Sequence, residues 1–115
     1  MSGQSTTVEP QRGWLRCVQQ GRLADLDEAR ELQRQVEQAC AQHGFRRVLF
    51  DNRDTEAPAD AVRDAMFAWA VTLERVAILL RSELKAVRAN MDAVSRRAHV
   101  RAFVDEAVAI SWLLE

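Results

Sequence analysis

The sequence predicts one small α/β domain: a mostly parallel sheet of about five strands, opened by a short N-terminal hairpin and continued by repeated strand-helix units, with four helices in all. Two observations carry that prediction. Solid apolar runs, VLF at 48–50 and VAILL at 76–80, alternate with segments whose apolar residues recur every three or four positions. The chain of 115 residues is also long enough to bury a real core but too short for a second one.

Residues 1–5 are small and polar and are expected to form a flexible tail, leaving 6–115 as the domain. TTVEP and WLRCVQQ flank QRG, where Gly13 suits a turn, so a hairpin opens the sheet. In its second strand Trp14, Arg16 and Val18 share one face, and Leu15, Cys17 and Gln19 the other. Over residues 24–43, Leu26, Ala29, Leu32, Val36, Ala39 and Cys40 trace the stripe of an amphipathic helix that Gly44 stops. Residues 47–51 form a strand of the kind buried on both faces of a parallel sheet. Residues 51–58 read as the connection to a second helix, on which Ala61, Val62, Ala65, Met66, Trp69, Ala70 and Leu73 line one side. RVAILL is the next strand. Ser82 then caps a third helix, Glu83 suits its N-terminal dipole, and its expected buried stripe is Leu84, Val87, Met91, Val94 and Ala98. HVRAFV is the last strand, and Asp105 caps the closing helix.

Alternation of this kind implies parallel strands joined by right-handed crossovers, and ligands collect outside the carboxyl ends of such strands. Asp51, Asn52, Arg53, Asp54, Thr55, Arg81 and Ser82 fall there and form the expected interaction or ligand edge. Met66, Trp69, Met91 and Trp112 are candidates for an apolar pocket, with ordinary core packing as the competing reading.

Composition narrows the function classes. Sixteen basic residues against 17 acidic ones give a formal net charge of −1, so nucleic acid is not an expected partner. Two cysteines, Cys17 and Cys40, are too few and too far apart for a four-ligand zinc site, a CxxC pair or a disulfide scaffold, and reduced buried thiols are expected. MSGQSTTVEPQR lacks a basic start followed by an apolar stretch, and no run approaches the ~20 apolar residues of a membrane span. A cytoplasmic location without an integral membrane segment is the expectation.

No catalytic residue, metal site or cofactor is expected. Asp51 at a strand end resembles the phosphoacceptor of bacterial receiver domains, but the chain has no acidic pair after its first strand and no lysine after its last. Asp51, Asp54 and Glu56 have the chemistry of a general acid and base, but Arg53 among them would lower their pKa values. His43 and His99 lack helical metal-site spacing, and no GxSxG elbow, GxGxxG loop or GxxxxGK loop is present. Arg88, Arg96, Arg97, His99 and Arg101 form a basic group that suits either a solvated face or an acidic partner or membrane surface.

VLFDNRD at 48–54, FAWA at 67–70, RVAILL at 75–80 and VRAFVDEAVAISWLL at 100–114 together resemble the STAS fold of bacterial anti-sigma-factor antagonists. More narrowly they are similar to the SpoIIAA-like group, described as related to lipid-binding CRAL-TRIO proteins. The resemblance implies a bacterial signalling module without catalysis of its own, acting through an unidentified protein partner or, alternatively, carrying or sensing a small apolar or lipid-like ligand. Antagonists of this kind carry a phosphorylatable serine in a DSSG-like turn. Here that region reads DTEAPADAVRD, where Thr55 is the nearest hydroxyl. The chain is expected as a monomer or homodimer.

Overall fold

The computed structural model describes residues 5–96 and 99–115. Arg97 of the basic group and Ala98 of the third helix's expected stripe lie outside the described residues, as do positions 1–4 of the expected tail. In chain order the elements are β1 (Ser5–Pro10), β2 (Leu15–Gly21), α1 (Leu26–His43), β3 (Arg47–Thr55), α2 (Asp60–Ala70), β4 (Arg75–Leu79), α3 (Glu83–Ser95), β5 (Val100–Phe103) and α4 (Glu106–Leu113).

The strands lie in sequential order, with β1 antiparallel to β2 and the other neighbours parallel. The hairpin turns at Gly13, whose φ of 88° is in the left-handed region. Successive crossovers advance in one direction across the sheet, and crossovers of one hand then put their helices on one face. That face holds Leu15, Cys17, Val48, Phe50, Val76 and Val100 beneath α1, α2 and the alanine side of α3. The opposite face, Leu49, Ala77 and Leu79, is covered by α4 through Ala109 and Leu113, and it also buries Trp14. The alternation predicted for the second strand is therefore observed, and Trp14 belongs with the α4 layer.

Local signals explain the helix limits. Asp25 accepts from the Glu28 amide at 2.9 Å while the Glu28 carboxylate accepts from the Ala24 amide at 2.9 Å, a reciprocal cap that starts α1 at Leu26. Ser82 and Asp105 cap α3 and α4 as expected, accepting from the amides of Lys85 and Val108. α4 is only eight residues long. Arg47 donates to the Leu113 carbonyl at 2.9 Å and Arg75 to the Trp112 carbonyl at 2.6 Å, placing two cations at the negative end of α4.

Two expectations are overturned. Residues 51–55 are not a loop: β3 continues through Thr55, and only four residues separate it from α2. Their polarity is tolerated because the strand is paired and each charge is matched by a side chain from a neighbouring element. The register shifts from Val18 opposite Asp51 to Gln20 opposite Asp54, so β3 carries one extra residue there, a bulge. The second correction concerns α3. Its expected buried stripe is exposed: Leu84 at 62%, Val87 at 54%, Met91 at 69% and Val94 at 79%, while Ala86 and Ala93 face the sheet.

Candidate functional site: the carboxyl edge of the sheet and the cleft behind it

The edge predicted from sequence divides between the two faces of the sheet. On the α4 face Asp51 is 7% exposed and is gripped by two arginines. Arg53 donates through Nε at 2.9 Å and Nη2 at 2.7 Å, and Arg16 donates through Nη2 at 2.9 Å. Glu106, at the start of α4, completes the network with Arg16 at 2.6 Å. The Arg53 hydrogen bonds hold the Asp51 carboxyl below its usual value, assisted by the nearby Arg16 charge and against the opposing effect of burial. An ionised, doubly paired carboxylate is suited to bracing β2, β3 and α4. It is poorly suited to donating a proton.

On the other face Gln19 donates to the Asn52 side-chain oxygen at 2.8 Å, and Thr55 spends its hydroxyl on the Asn52 carbonyl at 2.8 Å. Arg81 reaches across from the end of β4, donating to the Arg53 carbonyl at 3.0 Å and to Asp54 at 2.7 Å. Asn52, Thr55, Arg81 and Ser82 therefore do come together, around the mouth of a cleft of about 400 Å³ between α2 and α3. The floor of the cleft is Phe50, Val76, Ile78 and Leu80, and its α2 wall is Met66 and Trp69. Trp69 is fixed by a T-shaped contact with Phe50, centroids 6.2 Å apart, and by donating Nε1 to Glu37 at 3.0 Å. Arg63–Asp92 at 3.6 Å and an Arg96–Asp64 pair tie α2 to α3 over the cleft.

The four candidates for an apolar pocket do not converge. Met66 and Trp69 line the cleft, Met91 lies on the outer face of α3, and Trp112 sits on the far face of the sheet against Phe103, with Arg75 over its ring at 5.0 Å. Arg88 of the expected basic group lines the α3 side of the cleft together with Lys85, which was missed. They stand one position off the apolar stripe, on the flank that turns toward α2. Gln19 was placed on the correct face but not linked to Asn52. Two amides following apolar same-face positions on adjacent strands were the available signal.

The rotation of α3 has an identifiable cause. β5 is the edge strand, and Asn90 satisfies the outward backbone of its Ala102, accepting from the amide at 2.7 Å and donating to the carbonyl at 3.2 Å. Ala86, Asn90 and Ala93 share one helical face, so pinning Asn90 against β5 turns the alanines inward and Val87, Met91 and Val94 outward. Small side chains on the inner face let the helix approach the strand closely.

Cys17 and Cys40 are both free and buried, and desolvation pushes the Cys17 thiol up to about 12, so it is inert. No helix among the described residues is long and apolar enough to cross a membrane.

Comparison with known proteins agrees with this architecture. A family model described as SpoIIAA-like matches residues 18–114. An uncharacterized protein of the DUF3478 family with a SpoIIAA-like fold, from Shewanella loihica PV-4, superposes with a TM-score of 0.69 at 17% identity, covering 98% of this chain and 95% of the other. An anti-sigma factor antagonist from Mycobacterium paratuberculosis gives a TM-score of 0.71 at 13% identity, covering 97% of this chain and 95% of that one. No curated relative matches the sequence. With the family match spanning nearly the whole domain, the chain belongs to the SpoIIAA-like family.

Proposed function

We propose that this protein is a non-catalytic regulatory module that acts in the cytoplasm by binding a partner protein through the outer face of α3. The observation that carries this reading is the outward stripe of Leu84, Val87, Met91 and Val94, four large apolar side chains at helical spacing, each more than half exposed. Covering each would contribute roughly 1 kcal/mol or more. A run of that size on a rigid helix is the usual mark of an interaction site. Lys85 and Arg88 border the stripe, so the fitting partner is an amphipathic segment whose apolar ridge is flanked by acidic side chains. Asp54, Arg81 and Ser82 lie at the N-terminal end of α3 and extend the surface onto the carboxyl edge of the sheet. The SpoIIAA-like family and the likeness to an anti-sigma factor antagonist accord with this reading. So does the state of Asp51, whose lowered pKa removes the best candidate for a general acid.

The test is site-specific photocrosslinking in cells from a benzophenone side chain at position 87. The expected result is a discrete adduct with a second protein that disappears when Met91→Glu is added. An adduct only with a second copy of this chain, an adduct insensitive to Met91→Glu, or partition of the protein onto lipid vesicles would contradict the reading.

A further inference from the structure

Helix α4 lacks the polar outer side that a helix lying on a sheet ordinarily turns to water. The exposed side of α1 carries Arg30, Glu31, Arg34 and Gln38. On α4 the inner side, Ala109 and Leu113, is buried against Leu49, Ala77 and Leu79, while the outer side is Ala107, Val108 and Ser111, followed by Leu114. Val108 is 53% exposed and Leu114 49%, and residues 107–114 include no charged side chain. Between α4 and the edge strand β5 runs an open trough floored by Phe103 and Trp112, whose ring centroids are 5.6 Å apart.

The charges at the rim of the trough identify what fits it. Arg101 lies over Phe103, 5.7 Å from the ring centroid, and Glu115 stands at the C-terminal end of α4. Neither side chain makes an ion pair among the described residues. One unpaired cation and one unpaired carboxylate on the same small patch make it neutral and complementary to itself. The outer face of α3 differs, because Lys85 and Arg88 beside it share one sign and two copies meeting there would repel. Extension of the sheet is blocked at the β5 edge, since Asn90 already occupies the outward amide and carbonyl of Ala102. A second chain therefore meets the trough through side chains, and the small Ala107 and Ser111, one turn apart on α4, let a helix approach closely.

We propose that two copies of this chain associate through this surface, α4 of each lying in the trough of the other and Arg101 of each facing Glu115 of the other. A two-fold interface presents the same patch on both copies, so a ridge beside a trough and a cation beside a carboxylate satisfy each other reciprocally. Val108, on the flank of α4 that borders the trough, then lies near the axis, and Phe103 and Trp112 leave water. The interface is on the opposite side of the sheet from α3 and leaves that helix free for a different partner.

The experiment is sedimentation equilibrium of the purified full chain over a concentration series. A reversible monomer–dimer equilibrium is expected, and Val108→Glu, which sets two carboxylates together near the axis, should shift it to monomer. Arg101→Glu or Glu115→Arg alone should weaken the dimer roughly tenfold, since each turns two attractive pairs into repulsive ones, and the double reversal should restore it. Val108→Cys should give a disulfide-linked dimer under mild oxidation with copper phenanthroline, whereas Met91→Glu on α3 should leave the equilibrium unchanged. A chain that stays monomeric throughout, which would leave this face to another protein, overturns the proposal. So does a dimer indifferent to Val108→Glu, a dimer lost in Met91→Glu, or a double reversal no tighter than the single ones. Should Val108→Glu fail to fold, the reversals at the exposed Arg101 and Glu115 decide it.

Discussion

Helices α1 and α3 carry apolar side chains at similar spacing, and the fold treats them in opposite ways. On α1, Leu32 and Val36 lie at 2% and 0% exposure in the core that α1 forms with β1, β2 and α2. On α3 the large side chains point to solvent and the alanines point inward. α1 has no polar obligation on its inner face, so its stripe settles on the sheet and burial sets its rotation. α3 runs beside an edge strand whose Ala102 backbone needs partners, and Asn90 meets that need with two hydrogen bonds. Those two bonds, with the close approach that the inward Ala86 and Ala93 allow, hold the helix in the observed rotation with its large side chains exposed. Hydrophobic periodicity therefore locates a helix but does not by itself identify its buried side.

Several substitutions sharpen that contrast. The largest effect is expected on α1, where Leu32→Ala should lower unfolding free energy by about 3 kcal/mol in denaturant titration, the range for a leucine truncated in a packed core. Asp51→Asn should cost about 2 kcal/mol, less than the roughly 3–5 kcal/mol of a fully buried broken pair because Arg53 is partly exposed. Its pH dependence has a definite sign. Asp51 is depressed in the folded state, so its contribution is present above the unfolded carboxyl value near 4 and is lost as pH falls through the folded value. Acid titration of stability should accordingly be shallower in Asp51→Asn than in the parent below about pH 4.

Asn90→Ala should cost about 1–2 kcal/mol and, more tellingly, release the Ala102 amide to hydrogen exchange. If α3 rotates in that variant to bury its stripe, the exposure of Met91 should fall, which a methionine methyl spectrum with a soluble paramagnet would report. The smallest effect is expected for Met91→Ser, within about 0.5 kcal/mol of the parent, as for other surface sites. A loss near that of Leu32→Ala would place Met91 in a core and erase the contrast.

Much of this was legible in the sequence. VLF and VAILL announce doubly covered strands, Gly44 stops α1, and Asp25, Ser82 and Asp105 cap their helices as short polar residues do. The continuation of β3 through Thr55 was not legible, because Asp51, Asn52, Arg53 and Asp54 read as a solvated turn unless their partners are known. Those partners, Arg16, Gln19 and Arg81, come from distant parts of the chain. The site was legible in part. Asn52, Thr55, Arg81 and Ser82 gather at the cleft mouth with Met66 and Trp69 behind them, whereas Met91 and Trp112 are carried elsewhere by the rotation of α3 and by the placement of α4 on the opposite face. Asn90 in the sequence looks like any polar helix residue. Its role depends on β5 being an edge, which only the order of strands reveals.

The central claim, that α3 turns its large side chains outward and its alanines inward, is tested most directly by thiol labelling of paired single-cysteine probes, Val87→Cys and Ala86→Cys, in a chain whose own Cys17 and Cys40 are buried. Position 87 should react with a water-soluble maleimide at close to the rate of an unfolded control, while position 86 stays protected until the chain unfolds. Rapid labelling at 86 with protection at 87 would mean that α3 buries its apolar stripe, and the account of the outer surface would be wrong.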